Sequence, residues 1–287
     1  MDGGLRETPV TMSEITLAPA ERVDVLIDFS GKAPGTEILL TNSASAPFNA
    51  PPGTDVLPEV MKFVVTADTG PAPATPAFLR TYGAIDEGDA RISRDFLLQQ
   101  FFDECTGLKW LINGLHWGHI TERVEKGSTE IWRFVNPSGM THPMHLHLVS
   151  FQVLDRQPME LVGGVPIATG PATPPGPEDE YWKDVVKVNP GEMVRVIAKF
   201  EDYEGLFAYH CHILEHEDQE MMRQYLVVNC LVDLAPPEGV LDFSDISAFL
   251  TAFGTGGVEA DLAVPLGVFD FSDVFEFLVA FGTGCPD

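Results

Sequence analysis

Six of the eight histidines stand in two short strings, HPMHLH at 142–147 and HCHILEH at 210–216, the second with a cysteine between its first two histidines. A lone histidine on an apolar strand is satisfied by one core partner. Six imidazoles and a thiol in two short runs are costly to bury unless something neutralises them, and a metal ion does so. In an extended segment alternate side chains point to opposite faces, so His210 and His212 share one face while Cys211 takes the other, and His145 and His147 share a face. Such a segment can ligate two centres back to back. Cys211, His216 and a histidine of the other string form the two-imidazole, one-thiolate set of a blue-copper centre, and Met221, ten residues after Cys211, is placed to add a weak thioether ligand. Zinc fits less well, because Cys with Met is a soft donor set and His-Cys-His is unlike the spacing of structural zinc motifs.

In their context, THPMHLHLVSFQVLDRQP, TGPATPPGP, YWKD and HCHILEHEDQEMMR, these strings resemble the C-terminal copper-binding signature of the multicopper oxidases, most of all the spore-coat laccase and bilirubin oxidase branch. The resemblance covers roughly residues 15–229, and LAPAERVDVLIDF (17–29) resembles the second half of that family's middle cupredoxin domain. It implies His142, Cys211 and His216 as type-1 copper ligands with Met221 axial, His145 on type-2 copper, and His147, His210 and His212 on the type-3 pair. It also implies a proton-delivering role for Glu217. The implied activity is one-electron oxidation of a phenolic, bilirubin-like or metal-ion reductant coupled to reduction of oxygen to water. In this family four of the eight trinuclear-site histidines come from two His-x-His motifs of an N-terminal domain, yet this chain has no histidine before His116. His116 and His119 in LHWGHI lack the His-x-His spacing and read as loop or surface residues. The expectation is therefore a full type-1 site and half a trinuclear site, with the remaining histidines on an upstream domain or a second chain. Two other readings stay open: a type-1 electron-transfer protein without oxygen chemistry, and a secreted surface-interaction protein.

Nearby residues carry simpler readings. Met140, Met144 and Met222 read as core filling, Cys105 as a free or buried thiol, and Trp182-Lys183-Asp184 as structural. Glu215 and Asp218 are either hydrogen-bond partners of ligands or solvated charges.

The elements that must position these residues are mainly β. Period-2 alternation runs through VDVLIDF (23–29) and IWRFV (131–135), and EILLTN (37–42), MKFVVT (61–66), LVSFQVL (148–154), VRVIAKF (194–200) and YLVVN (225–229) add strand candidates between Pro/Gly turns. The expected fold is a set of cupredoxin-like Greek-key β-sandwich domains with a small helical module at the C-terminus. Residues 1–66 read as a partial cupredoxin-like domain, 67–87 as a proline-rich linker, 88–232 as the copper-binding domain and 233–287 as the module.

That module is an internal repeat. DLAPPEGVLDFSDISAFLTAFGTG (233–256) recurs as DLAVPLGVFDFSDVFEFLVAFGTG (261–284), a 28-residue period that resembles a degenerate dockerin-like pair. Ile246, Phe249, Leu250 and Phe253, and then Val274, Phe277, Leu278 and Phe281, recur at i, i+3, i+4, i+7, which predicts two amphipathic helices burying their stripes against each other. Cys230 and Cys285 bracket the pair and are expected to form a disulfide, unless a reducing compartment leaves both as thiols. Asp242 and Asp245 lie near the spacing of late calcium-loop ligands, but Pro236, Pro237 and Glu238 stand where early ligands belong, so calcium is doubtful.

With 17 Lys+Arg against 43 Asp+Glu the net charge is −26, which argues against a nucleic-acid partner. The segment 233–287 holds ten Asp/Glu and no Lys or Arg, so −10 of that charge belongs to the repeat. No run reaches the ~18 apolar residues of a membrane span. The opening MDGGLR lacks the pattern of a secretory signal. An extracellular, periplasmic or cell-surface location is expected from the disulfide and the tail, with the repeat as a possible docking element.

Overall fold

The structure, a computed structural model, describes residues 2–45, 48, 57–67, 70, 74–105 and 107–285. Among the described residues, strands β1 (Glu37–Thr41) and β2 (Glu59–Val64) pair antiparallel with each other alone. Then come β3 (Ala90–Asp103), β4 (Gly107–Ile112), β5 (Glu122–Glu125), β6 (Thr129–Asn136), β7 (His142–Leu146), β8 (Phe151–Val162) and β9 (Val165–Ala168). They are followed by β10 (Val185–Val188), β11 (Glu192–Lys199), β12 (Gly205–Cys211), the short helix α1 (Leu214–Asp218) and β13 (Met222–Val228). These strands make two sheets, β4-β3-β6-β11-β8-β9 and β10-β7-β12-β13-β5. The order is non-sequential, as Greek-key connections require.

The core lies between the two sheets. Phe96, Trp132, Phe134, Phe151 and Val196 from the first sheet meet Met144, Leu146, Val186, Tyr209 and Tyr225 from the second, all essentially without exposure. The alternation of β6 explains its double burial: Trp132 and Phe134 point into this core, while Val135 packs behind the sheet with Met159 and Met193. Trp132 lies 4.6 Å from Phe96 and 5.3 Å from both Tyr209 and Tyr225, ring centre to ring centre. Two buried carboxylates of this core are paired, since an unpaired one would cost its full desolvation. Glu130 accepts from Arg94 and from the Trp132 indole, and Glu122 accepts from Arg223 and the Tyr209 hydroxyl.

The N-terminal segment is clamped to the copper-motif sheet by charge. Lys183 reaches Glu21 at 3.0 Å and Asp2 at 3.3 Å, Lys187 reaches Glu21 at 2.6 Å, and Arg22 binds both carboxylate oxygens of Asp184 at 2.7 Å. The strand expected over 23–29 is not found: the segment joins no ladder, and Val25, Leu26 and Ile27 are exposed. Alternation makes a strand only where a neighbour accepts its backbone hydrogen bonds. Of the expected linker, residues 68–69 and 71–73 lie outside the described residues, and 74–86 carry no strand.

In the C-terminal module, α2 (Phe243–Thr255) and α3 (Phe271–Thr283) occupy equivalent positions of the two copies. Phe249 stacks on Phe277 with ring centres 4.0 Å apart. The two are 28 residues apart in sequence, so the repeat closes on itself through a contact between equivalent residues, as an isologous dimer interface does. The stripe differs from expectation: Leu250 and Leu278 are 58% and 55% exposed, because the Phe249–Phe277 stack centres the buried face on Ile246, Phe249 and Phe253 and their counterparts. A disulfide links Cys230 to Cys285 across a Cα separation of 5.1 Å.

The carboxylates weighed for calcium are engaged by the backbone. Asp242 caps α2 by accepting from the Ser244 amide, and Asp245 is spent on backbone amides: Oδ1 takes Leu234 and Ala235, and Oδ2 takes Asp242. Asp270 and Asp273 repeat the arrangement in the second copy. Asp242 and Asp245 together form the capping box of α2, and Asp270 and Asp273 that of α3.

Candidate metal centre

Strands β7 and β12 are antiparallel neighbours whose register sets Met144 opposite Cys211, His145 opposite His210 and Leu146 opposite Tyr209. Cross-strand partners share a face. Cys211 and Tyr209 therefore point into the core with Met144 and Leu146, and His145 and His210 project from the other side of the sheet. One strand pair presents ligands to two places.

On the core side, His142 at the start of β7, Cys211 at the end of β12 and His216 on α1 converge, all buried. The His142 Nδ1 to Cys211 Sγ distance is 3.6 Å, Cys211 Sγ to His216 Nδ1 is 3.5 Å, and the two Nδ1 atoms are 3.2 Å apart. The loop that delivers them is tied by its own backbone: the Cys211 amide donates to Met221 O, the Met221 amide to His216 O, and the His212 amide to Pro143 O. Met221, fully buried, is thus fastened by backbone bonds to two residues of the triad. The Trp110 ring on β4 closes the site, 4.4 Å from His216 and 5.0 Å from His142, ring centre to ring centre.

Behind the sheet, the ligand atoms of His145, His147 and His210 lie within 4.8 Å of one another. His145 Nδ1 meets the Asp184 carbonyl at 2.8 Å, which makes Nδ1 the donor and leaves Nε2 unprotonated. His210 Nδ1 faces two acceptors, Cys211 O at 3.1 Å and Glu217 Oε2 at 3.2 Å, and its Nε2 lies 3.2 Å from that of His147. The His212 ring is 5.3 Å from His210 and 5.7 Å from His145, but its ligand atoms stay outside the tight group. His147 is exposed and His145 half-buried, so this second group opens outward.

Electrostatics suit both groups to a cation. Burial pushes the Cys211 thiol up to about 12 and pulls His142 down to about 3, with His216 adding to the latter. Burial likewise takes His216 and His210 to about 4. Without metal the core triad is two neutral imidazoles and a protonated thiol, and a metal must displace that thiol proton. The donor set fits a metal ion: the three atoms are equidistant from a point about 2 Å away, the length of a metal–imidazole bond. Two imidazoles with one thiolate beside a buried methionine match copper in type.

His116 and His119 belong to neither group; His116 is half-exposed with Nδ1 3.1 Å from Glu220. Cys105 is exposed. The sequence reading missed Trp110, Ser138, whose hydroxyl touches His142, and the Asp184 carbonyl. Only the WKD string singled out any of these three in advance.

Two packed β-sheets with a His2Cys set at one end and a histidine cluster behind the same strands define a cupredoxin-like metal-binding protein. A family model described as "Multicopper oxidase" matches residues 96–229. The chain is 40% identical over 229 residues to a laccase of Bacillus subtilis, a match covering 77% of this chain and 44% of that protein. It is 33% identical over 233 residues to a bilirubin oxidase of Albifimbria verrucaria, covering 78% and 38%. Among solved structures, the McoA multicopper oxidase of Aquifex aeolicus superposes with a TM-score of 0.64 at 32% identity, covering 78% of this chain and 48% of that one. The chain belongs to the multicopper oxidase family, which implies copper as its metal. It spans about half the length of the curated relatives it matches.

Proposed function

We propose that this chain is the copper-bearing C-terminal part of a laccase-like oxidoreductase. The observation that carries the reading is the buried triangle of His142, Cys211 and His216, to which buried Met221 is tied by backbone hydrogen bonds. Copper bound there would supply one-electron oxidation of a reductant, and copper bound behind the sheet would supply reduction of oxygen to water. His142, Cys211 and His216 hold the first ion with Met221 as the weak ligand, Trp110 and the core exclude water from it, and the Cys211 peptide joins it directly to His210 and His212. His145 serves a type-2 ion, and His147, His210 and His212 a type-3 pair. Glu217, whose carboxylate lies 3.2 Å from His210 Nδ1, would hold a proton near that cluster. The resemblance to laccases and a bilirubin oxidase favours a phenolic, bilirubin-like or metal-ion reductant. The outward-open histidine cluster favours a second set of imidazoles brought by another domain or a second chain. The Cys230–Cys285 disulfide favours an extracellular, periplasmic or surface location, with the repeat as a docking element.

A second reading, copper-based electron transfer without oxygen chemistry, is favoured by one observation. Among the described residues only His145, His147 and His210 converge tightly behind the sheet. Copper loading followed by visible absorption and oxygen uptake separates the readings. Three or more coppers with an intense sulfur-to-copper band and oxygen uptake support the oxidase. One copper with the band and no uptake leaves electron transfer, and no band overturns both.

A further inference from the structure

We infer that Ser138 is a positioning residue that fixes the tautomer of His142 and sets how strongly that ring donates to a metal, a role that rests on the copper-triad reading above. The argument is one of hydrogen-bond accounting. Asn136 is completely buried at the end of β6, and its Nδ2 donates to two carbonyls, Met140 O and Val188 O, each at 2.8 Å. Carbonyls only accept, so the amide cannot be flipped, and Oδ1 must be the atom facing Ser138.

Oδ1 takes the Ser138 amide at 2.9 Å and lies 2.7 Å from Ser138 Oγ. Two oxygens at that distance need a proton between them, and the amide oxygen has none, so the Ser138 hydroxyl proton points at Asn136. A serine has one such proton. Its oxygen is then left as an acceptor toward His142 Nε2, 2.9 Å away. Nε2 must carry the ring proton. Nδ1 therefore keeps its lone pair, and Nδ1 is the atom that faces Cys211 Sγ and His216 Nδ1.

The chain from His142 Nε2–H to Ser138 Oγ–H to Asn136 Oδ1 thus orients the ligand and raises its electron density, as outer partners of metal-bound imidazoles do. More electron density favours the more highly charged oxidised ion. Removing the hydroxyl should make the bound ion easier to reduce.

The test is Ser138→Ala, with Ser138→Thr as the variant that returns a hydroxyl, in the full chain. In the metal-free protein, 15N chemical shifts should report His142 protonated at Nε2 alone in the parent and in Ser138→Thr, and a mixture with Nδ1–H in Ser138→Ala. With copper bound, the oxidised-to-reduced ratio at a fixed potential should fall in Ser138→Ala, by up to about fivefold, the limit reached if a hydrogen bond of about 1 kcal/mol stabilises the oxidised state alone. At 59 mV per tenfold for one electron this limit is about 40 mV upward, and Ser138→Thr should return toward the parent. A parent protein already protonated at Nδ1, or shifts and potential unchanged in Ser138→Ala, overturns the inference. A parent without the sulfur-to-copper band overturns the copper reading instead, while the metal-free shifts still decide the tautomer.

Discussion

The sandwich and the repeat module both bury ionisable side chains at helix or strand ends, and they treat them in opposite ways. In the sandwich, His142, Cys211 and His216 present their ligand atoms to one another, with no backbone amide between them. In the module, Asp245 and Asp273 are equally buried, but backbone amides from Leu234, Ala235 and Asp242, and from Leu262, Ala263 and Asp270, already occupy their oxygens. The residue types of both regions suit a metal. What separates a metal centre from a cap is whether the protein's own donors have reached those atoms first.

The change that should break the comparison most completely is Cys211→Ser. A hydroxyl is a harder and far less acidic donor than a thiol, so the sulfur-to-copper band should vanish. Copper affinity should fall by more than the 10–100-fold typical of losing an outer partner. The melting of the repeat should not move. Absorption spectroscopy with a copper titration checks the first part and calorimetry the second; a retained band would show that the triad is not the ligand set.

Next in size is the double substitution Cys230→Ala/Cys285→Ala. The bond closes a loop with a sequence separation of 55, for which chain entropy predicts about 4 kcal/mol of stabilisation. Thermal unfolding should show the module melting separately and early, with the copper band unchanged. A loss of the band would mean that the two regions are coupled through Cys230, which sits two residues past the sandwich's last ladder contact at Val228.

How far the sequence carried the reading follows the same line. The strings at 142–147 and 210–216 were legible because ligand softness and the period of two act within a few residues. The helices at 243–255 and 271–283 were legible because a 3.6-residue stripe and a repeat are also local signals. Trp110 and Ser138 were not legible, since each meets its histidine through tertiary contacts that no local spacing encodes. VDVLIDF misled because alternation describes one strand and is silent on its neighbour. Asp242 and Asp245 left the calcium question open because a calcium loop and a capping box both want carboxylates three residues apart; the Leu234 and Ala235 amides, eleven and ten residues before Asp245, favour the cap.

Asp245→Asn sharpens that last distinction. The amide presents one oxygen and one NH2, so at least one of the three backbone donors would face another donor, costing about 2 kcal/mol. The equivalent Asp273→Asn should cost about the same, because the repeat reproduces each hydrogen bond. Chemical denaturation of the full chain monitored on the module measures both; a change below about 0.5 kcal/mol would show that these amide contacts do not stabilise the module.

The smallest effects expected concern ions and acid. Chelator or added calcium should leave the module's melting unchanged, since backbone amides already engage both carboxylate oxygens of Asp245, whereas stripping copper should lower the melting of the sandwich. Acid distinguishes the regions again. Burial works against ionisation of Asp245, but the amides of Asp242, Leu234 and Ala235 outweigh it and hold the carboxyl below its usual range. A carboxyl with a depressed folded pKa contributes stability that is complete above the unfolded value of about 3.9 and is lost as pH falls through the folded value. The module's stability should therefore be flat from pH 7 to 5, as far as this group controls it, and should begin to fall only below about pH 4. In Asp245→Asn that part of the acid slope should be absent, so the parent and the variant should converge as the pH drops; parallel curves down to pH 2 would place the slope on some other carboxylate.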